Sequence, residues 1–260
     1  VNKEIISQKQ GITLVTFVII GDSLVFTSGI TAEKDFWLAI LLAVLPAYAV
    51  LSVYARILSL YPGKDLFDIA KIVFGAVIGN LISLIYIWFA LLLGALVLRT
   101  FTEFITIVAF PETPMLAPLA GLVILCVWSL KEGIEVLSRV GECFLCIMII
   151  MIIFTILLMV PEWEIKNIRP VLYNGMAPVL KGAFSTFSFP LAEAVICMMV
   201  FSGLKSKAAH KVFTLGLMIG GGLLLATSLA EVLTIGVESA SSNYFPAHNA
   251  AQRSSRVTPQ

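Results

Sequence analysis

The chain has 260 residues, of which 59% are hydrophobic and 13% charged, with a formal net charge of +1. Its mean hydropathy is +1.01. Soluble domains carry about 25% charged residues, so this composition excludes an ordinary soluble domain and points to a polytopic membrane protein. No basic block is present, and no nucleic-acid partner is expected.

Val1 to Gln10 is polar and mixed in charge and leads straight into a hydrophobic run, so no cleavable signal peptide is expected. About 20 apolar residues cross the hydrocarbon of a bilayer, and by that rule seven spans are predicted. The first runs from about Gly11 to Ile30 and is interrupted at Gly21-Asp22-Ser23. The second, Phe36 to about Leu60, has no charge until Arg56. The third runs from near Val77 to Val108 and carries Arg99 and Glu103, which are four apart and can pair along the helix. The fourth, Met115 to Leu130, is the shortest and follows the turn Pro111-Glu112-Thr113-Pro114. The fifth spans about Val136 to Val160, with Glu135, Arg139 and Glu142 able to pair at its start. The sixth is Val179 to Leu204 and the seventh Val212 to Val237.

The transmembrane domain is accordingly placed at residues 1–238, and residues 239–260 are expected to form a polar, disordered tail. Ten lysines and arginines fall on the side of the N-terminus and seven on the other, so the N-terminus is expected to be cytoplasmic. Gly75-x-x-x-Gly79 and Gly216-x-x-x-Gly220 read as faces of close helix approach.

The sixth span is broken within its own sequence. It reads Phe184-Ser185-Thr186-Phe187-Ser188-Phe189-Pro190, with Glu193 just beyond. Pro190 has no N–H, so a helix through it leaves the Thr186 carbonyl without a donor. In lipid such a group survives only where it is buried in protein or lines a cavity. The first and sixth segments are the two interrupted near mid-length by an acidic residue beside glycine or proline, and they lie five spans apart. Paired breaks at corresponding places are the best sequence pointer to a site at the membrane midplane.

A broken helix offers N–H groups and a positive dipole end to a carboxylate, and free carbonyls to an ammonium. The candidate ligand-binding residues are Gly21, Asp22 and Ser23 from the first break, and Ser185, Thr186, Phe187, Ser188, Phe189, Pro190 and Glu193 from the sixth. Leu93 and Val97 join them from a helical face of the third span. The same residues also read as a proline kink with its serines bonding the helix backbone, Glu193 stabilising a helix end, and Leu93 and Val97 in ordinary packing. No catalytic set, metal site or cofactor motif is present, and no enzyme activity is expected. Cys126, Cys143, Cys146 and Cys197 sit in apolar runs and read as small packing residues.

Several stretches resemble the B-subunit family of spore germination receptors, within the amino acid–polyamine–organocation transporter superfamily. They are Leu60-Tyr61-Pro62-Gly63-Lys64-Asp65-Leu66-Phe67 with Phe74-Gly75, then Phe110-Pro111-Glu112-Thr113-Pro114, and Gly133-Ile134-Glu135-Val136 with Arg139 and Glu142. Arg169-Pro170-Val171-Leu172, Gly175, Pro178-Val179-Leu180-Lys181-Gly182 and Phe189-Pro190 with Glu193 complete the set. The resemblance covers residue 4 to about residue 246. It implies an all-α fold of ten helices in a five-plus-five inverted repeat, with discontinuous first and sixth helices. This chain carries seven of them: a first repeat at about 10–160 and a partial second repeat at about 178–238. It also implies a subunit of the spore's inner membrane that senses a nutrient germinant, an amino acid, alongside A- and C-type receptor subunits. A proton-coupled amino acid permease, or an inactive truncated remnant or scaffold, are the other readings.

Overall fold

The computed structural model describes residues 6–21, 26–204, 208–242 and 245–255, which are helical with no strand among them. Helix α1 (Gln8–Ile20) starts in a capping box, where the Ser7 hydroxyl accepts from Gln10 N–H and the Gln10 side chain accepts from Ser7 N–H. It ends early. Gly21 still donates to the Phe17 carbonyl in helical geometry, and the described chain resumes at Phe26 without an α-helix. Residues 26–29 form turns, Gly29 has φ 71°, and Ile30–Asp35 is a 3₁₀ turn. The first span, expected to run to Ile30 with an interruption at Gly21-Asp22-Ser23, is α-helical for 13 residues up to that point, and its described remainder is turn and 3₁₀ helix.

Helix α2 (Phe36–Leu60) follows directly, and its buried stripe of Ala39, Ala43, Ala47, Leu51 and Ala55 recurs every four residues. Short side chains along one face let two further helices approach it closely. Helix α3 (Leu66–Val108) is long because two helices run together across Gly75, which has φ 79° and ψ 173°. Helix α4 (Leu116–Glu132) and α5 (Ile134–Met159) meet at Gly133 with φ 84°. Helix α6 (Met176–Thr186) enters the broken sixth segment, which continues through α7 (Cys197–Val200). Helix α8 (Ala209–Ile235) is the last long one.

The core lies where α1, α2, α6 and α8 pack on one another, with α5 against α1. Glycines set the α1–α8 spacing. A Cβ at Gly216 would lie 2.5 Å from Val15 Cγ1, one at Gly220 2.8 Å from Ile19 Cγ2, and one at Gly11 2.9 Å from Val212 Cγ1. The seam expected at Gly216 and Gly220 is therefore a real helix contact. Gly75 and Gly79 are different: Gly75 is the break in α3, and a Cβ at Gly79 would meet the backbone of Lys71, eight residues earlier and before that break, at 2.6 Å. That pair bends its own helix.

Five elements are long and apolar enough to cross a membrane: Ile30–Leu60, Leu66–Val108, Ile134–Glu162, Met176–Val200 and Ala209–Ile235. At 13 and 17 residues, α1 and α4 fall short of the roughly 20 that suffice alone. Residues such as Val77, Leu116 and Leu130 expose three quarters or more of their surface, as suits a face turned to hydrocarbon.

Among the described residues, the stretch expected to be a disordered tail includes α9 (Val237–Ser242) and α10 (Pro246–Ser255). Pro246 occupies the first helical position, where its missing N–H leaves no bond unmade. Phe245 meets Phe104 edge to face at 5.2 Å, and Ala250 is fully buried with Met159 and Ala230. One aromatic ring and a few alanines supply the apolar side, too little to register against a polar composition.

Candidate functional site

The sixth segment comes apart where Pro190 requires it. Helix α6 ends at Thr186, Phe187–Leu191 forms a wide π-type turn, and Phe189 is fully extended at φ −141°, ψ 118°. A 3₁₀ stretch, Ala192–Ile196, then leads into α7, with Glu193 in its first turn. Turns of this π type inside helices are often found at functional sites.

This break faces residues 26–31, the described end of the first segment. Between them lies a cavity of about 90 Å³ lined by Phe26, Thr27, Ser28, Gly29, Ile30, Thr31, Ser185, Thr186 and Phe189. Close packing holds the two sides together. A Cβ on Gly182 of α6 would stand 2.9 Å from Ala32 Cβ, 3.0 Å from Ala39 Cβ and 3.2 Å from the Gly29 carbonyl oxygen. Gly29, at positive φ, would carry its own Cβ 3.0 Å from the Phe36 carbonyl and 3.4 Å from Thr186 Oγ1. A side chain there is excluded twice, by conformation and by space.

The polar groups around the cavity are hydroxyls and irregular backbone. Thr186 is 1% exposed and its Oγ1 has no hydrogen-bond partner among the described residues. An unsatisfied buried hydroxyl is costly in a fold unless something else uses it. Thr27 is partnered: its hydroxyl donates to Glu231 Oε2 of α8 at 2.6 Å. Glu231 is 3% exposed. The loop before α6 is strapped to the end of the first segment. Both carboxylate oxygens of buried Asp35 accept from Leu172 N–H at 2.9 and 3.0 Å, Lys34 Nζ donates to the Arg169 carbonyl at 2.8 Å, and Asn174 Nδ2 donates to Glu33 at 2.8 Å.

Of the residues singled out from sequence, Ser185, Thr186 and Phe189 line this cavity. Gly21 caps α1, Phe187 packs on the core, Ser188 is exposed and Pro190 is buried. Leu93 and Val97 are half-buried on α3; it is Leu96, Arg99 and Thr100 of that helix that line a neighbouring cavity of about 540 Å³, with Phe26, Glu103, Ser241 and Ser242. Asp22 and Ser23 lie outside the described residues. The Arg99–Glu103 and Arg139–Glu135 pairs form, at 2.7 and 2.9 Å.

Thr27, Ser28, Gly29, Thr31 and Glu231 join the site from outside the residues expected from the sequence. The signals were present: a hydroxyl-rich stretch around a glycine inside an apolar run, and an acidic residue deep in a span. Among the described residues no group of histidine, cysteine and acidic side chains could hold a metal ion.

The family model described as "Spore germination protein" matches residues 5–252. The chain is 29% identical to spore germination protein KB of Bacillus subtilis (strain 168) over 245 residues, 93% of this chain and 66% of that protein. It is 26% identical to spore germination protein YndE of the same strain, over 83% of this chain and 60% of that one. It is likewise 26% identical to the putative spore germination protein YfkT, over 88% of this chain and 62% of that one. The chain thus spans about two thirds of the length of these relatives or somewhat less. No solved structure matches it significantly. A helical, strongly apolar chain with these motifs in order, matched over nearly its whole length, belongs to the spore germination protein family, of the B-subunit type.

Proposed function

We propose that the chain is the germinant-sensing membrane subunit of a spore germination receptor, and that a small nutrient, an amino acid, binds between its broken first and sixth segments. The observation that carries this reading is the cavity between residues 26–31 and Ser185, Thr186 and Phe189, with an unpartnered hydroxyl at its wall. A volume of about 90 Å³ is small beside the roughly 300–1,000 Å³ of drug-sized pockets, so its occupant is among the smallest amino acids. The turn at 26–29 and the extended peptide at Phe189 offer N–H and carbonyl groups outside helical bonding to the two charges of a zwitterion, with the Ser185 hydroxyl beside them. Occupancy draws the two segments together and shifts the bundle between two arrangements. That shift is what A- and C-type partner subunits would read. In this reading the chain supplies seven spans of a five-plus-five inverted-repeat fold in the inner spore membrane, with its N-terminus cytoplasmic.

The test is the germination dose response of spores carrying Thr186→Val, with glycine, L-alanine and L-serine as germinants. Valine keeps the shape and removes a hydroxyl that the fold leaves unsatisfied, so the protein accumulates normally. The concentration for half-maximal response rises about tenfold, the effect of one lost hydrogen bond to a charged group. An unchanged dose response sinks the site.

A further inference from the structure

A second cavity, of about 260 Å³, lies between α5 and α8 and shares no lining residue with the gap between the two breaks. Its walls are apolar and adaptable: Met148, Met151 and Met159 with two isoleucines. Its polar members are Thr155, Thr227 and the Glu231 carboxylate. What matters is which of these can donate. The Thr155 hydroxyl gives its proton to the Met151 carbonyl at 2.9 Å, and that of Thr227 is shared between the Leu223 and Leu224 carbonyls at 3.1 Å. Both oxygens are left with lone pairs only. Glu231 as a carboxylate is an acceptor, and thioether sulfurs are weak acceptors. Among the described residues no lysine, arginine or histidine lines the cavity, no ion pair includes Glu231, and the single donor to that carboxylate is the neutral Thr27 hydroxyl.

A buried carboxylate in a span needs a cation or a water-filled path. A space that presents only acceptors on one side and methionine on the others is complementary to a group that carries positive charge, donates hydrogen bonds and bears an apolar tail. We propose that this cavity is a binding site for a primary alkylammonium ion, its ammonium on Glu231, Thr155 and Thr227 and its chain among the methionines. The assignment does not depend on what occupies the gap between the breaks.

The test uses the full chain purified in a non-ionic detergent, with n-butylammonium chloride, n-butanol and potassium chloride as probes and thermal unfolding as readout. Butylammonium raises the unfolding temperature saturably at neutral pH, while n-butanol and potassium do not. Glu231→Gln weakens the apparent affinity about tenfold or more, as expected when a charge-assisted bond is removed. Should that variant fold poorly, Thr155→Phe fills the cavity from α5 without touching the Glu231–Thr27 bond and abolishes the shift. Equal stabilisation by n-butanol would mean that apolar filling alone is at work. Equal stabilisation by potassium would make this a bare metal-cation site. Either result, or a butylammonium shift unaltered in both variants, overturns the proposal.

Discussion

Gly182→Ala adds one methyl group at the tightest point between α6 and the end of the first segment. The new Cβ would sit 2.9 Å from Ala32 Cβ, 3.0 Å from Ala39 Cβ and 3.2 Å from the Gly29 carbonyl. Favourable carbon contacts lie at about 3.5–4.0 Å, so α6 must retreat by roughly 0.5–1 Å. None of the three neighbours can rotate away, because two are Cβ atoms and one is backbone. Overpacking of this kind costs about 1–3 kcal/mol, while replacing a helical glycine by alanine returns about 1 kcal/mol. Gly222→Ala in α8 isolates the second effect, since nothing lies within 4 Å of a Cβ there. Thermal unfolding of both variants in one detergent should therefore separate them by several degrees, at roughly 2–4 °C per kcal/mol for a chain of this size. Gly222→Ala unfolds at or above the parent temperature and Gly182→Ala below Gly222→Ala. Equal gains in both variants would refute the close approach of α6 to residues 29–39, and the cavity geometry with it.

Thr27→Val removes the only donor to Glu231 among the described residues and destabilises by about 1–3 kcal/mol, the range for leaving a buried acceptor unpaired. Combined with Glu231→Leu the losses fall short of additive, and strict additivity in the double-mutant cycle would mean the bond contributes nothing. Asp35→Ala deprives Leu172 N–H of both its acceptors, so the loop of residues 169–174 opens more often. Chymotrypsin cleavage at exposed Tyr173 should quicken by about ten- to a hundredfold, given roughly 1.5–3 kcal/mol for a hydrogen bond to a charged group; an unchanged rate argues against the strap. Phe245→Ala removes the ring seated on Phe104 and should strip amide-exchange protection from 246–255 while leaving α8 protected. Retained protection there would mean that α10 is held by other contacts.

Much of the architecture could be read before any coordinates. Runs of some 20 apolar residues located α2, α5 and α8, and the start of α6, within a few positions, because a bilayer demands long uncharged helices whatever they pack against. Pro190 announced the sixth break through its missing N–H, a property of one residue. Gly216 and Gly220 announced a seam, because small residues four apart leave a groove in any helix. What chain-local chemistry could not supply was partnership. Thr27 and Glu231 are 204 positions apart, and their bond exists only because the α1–α8 seam brings residue 27 alongside α8. Gly75 and Gly79 showed the same spacing as the α8 seam and turned out to bend a helix, since backbone torsion rather than spacing decides which a glycine pair does. Residues 245–255 read as polar coil until Phe104, Met159 and Ala230 offered a surface to fold on. Local sequence thus determined where helices begin, end and fail. Which side chains face one another across the failures was decided by packing, the one interaction that a linear pattern does not encode.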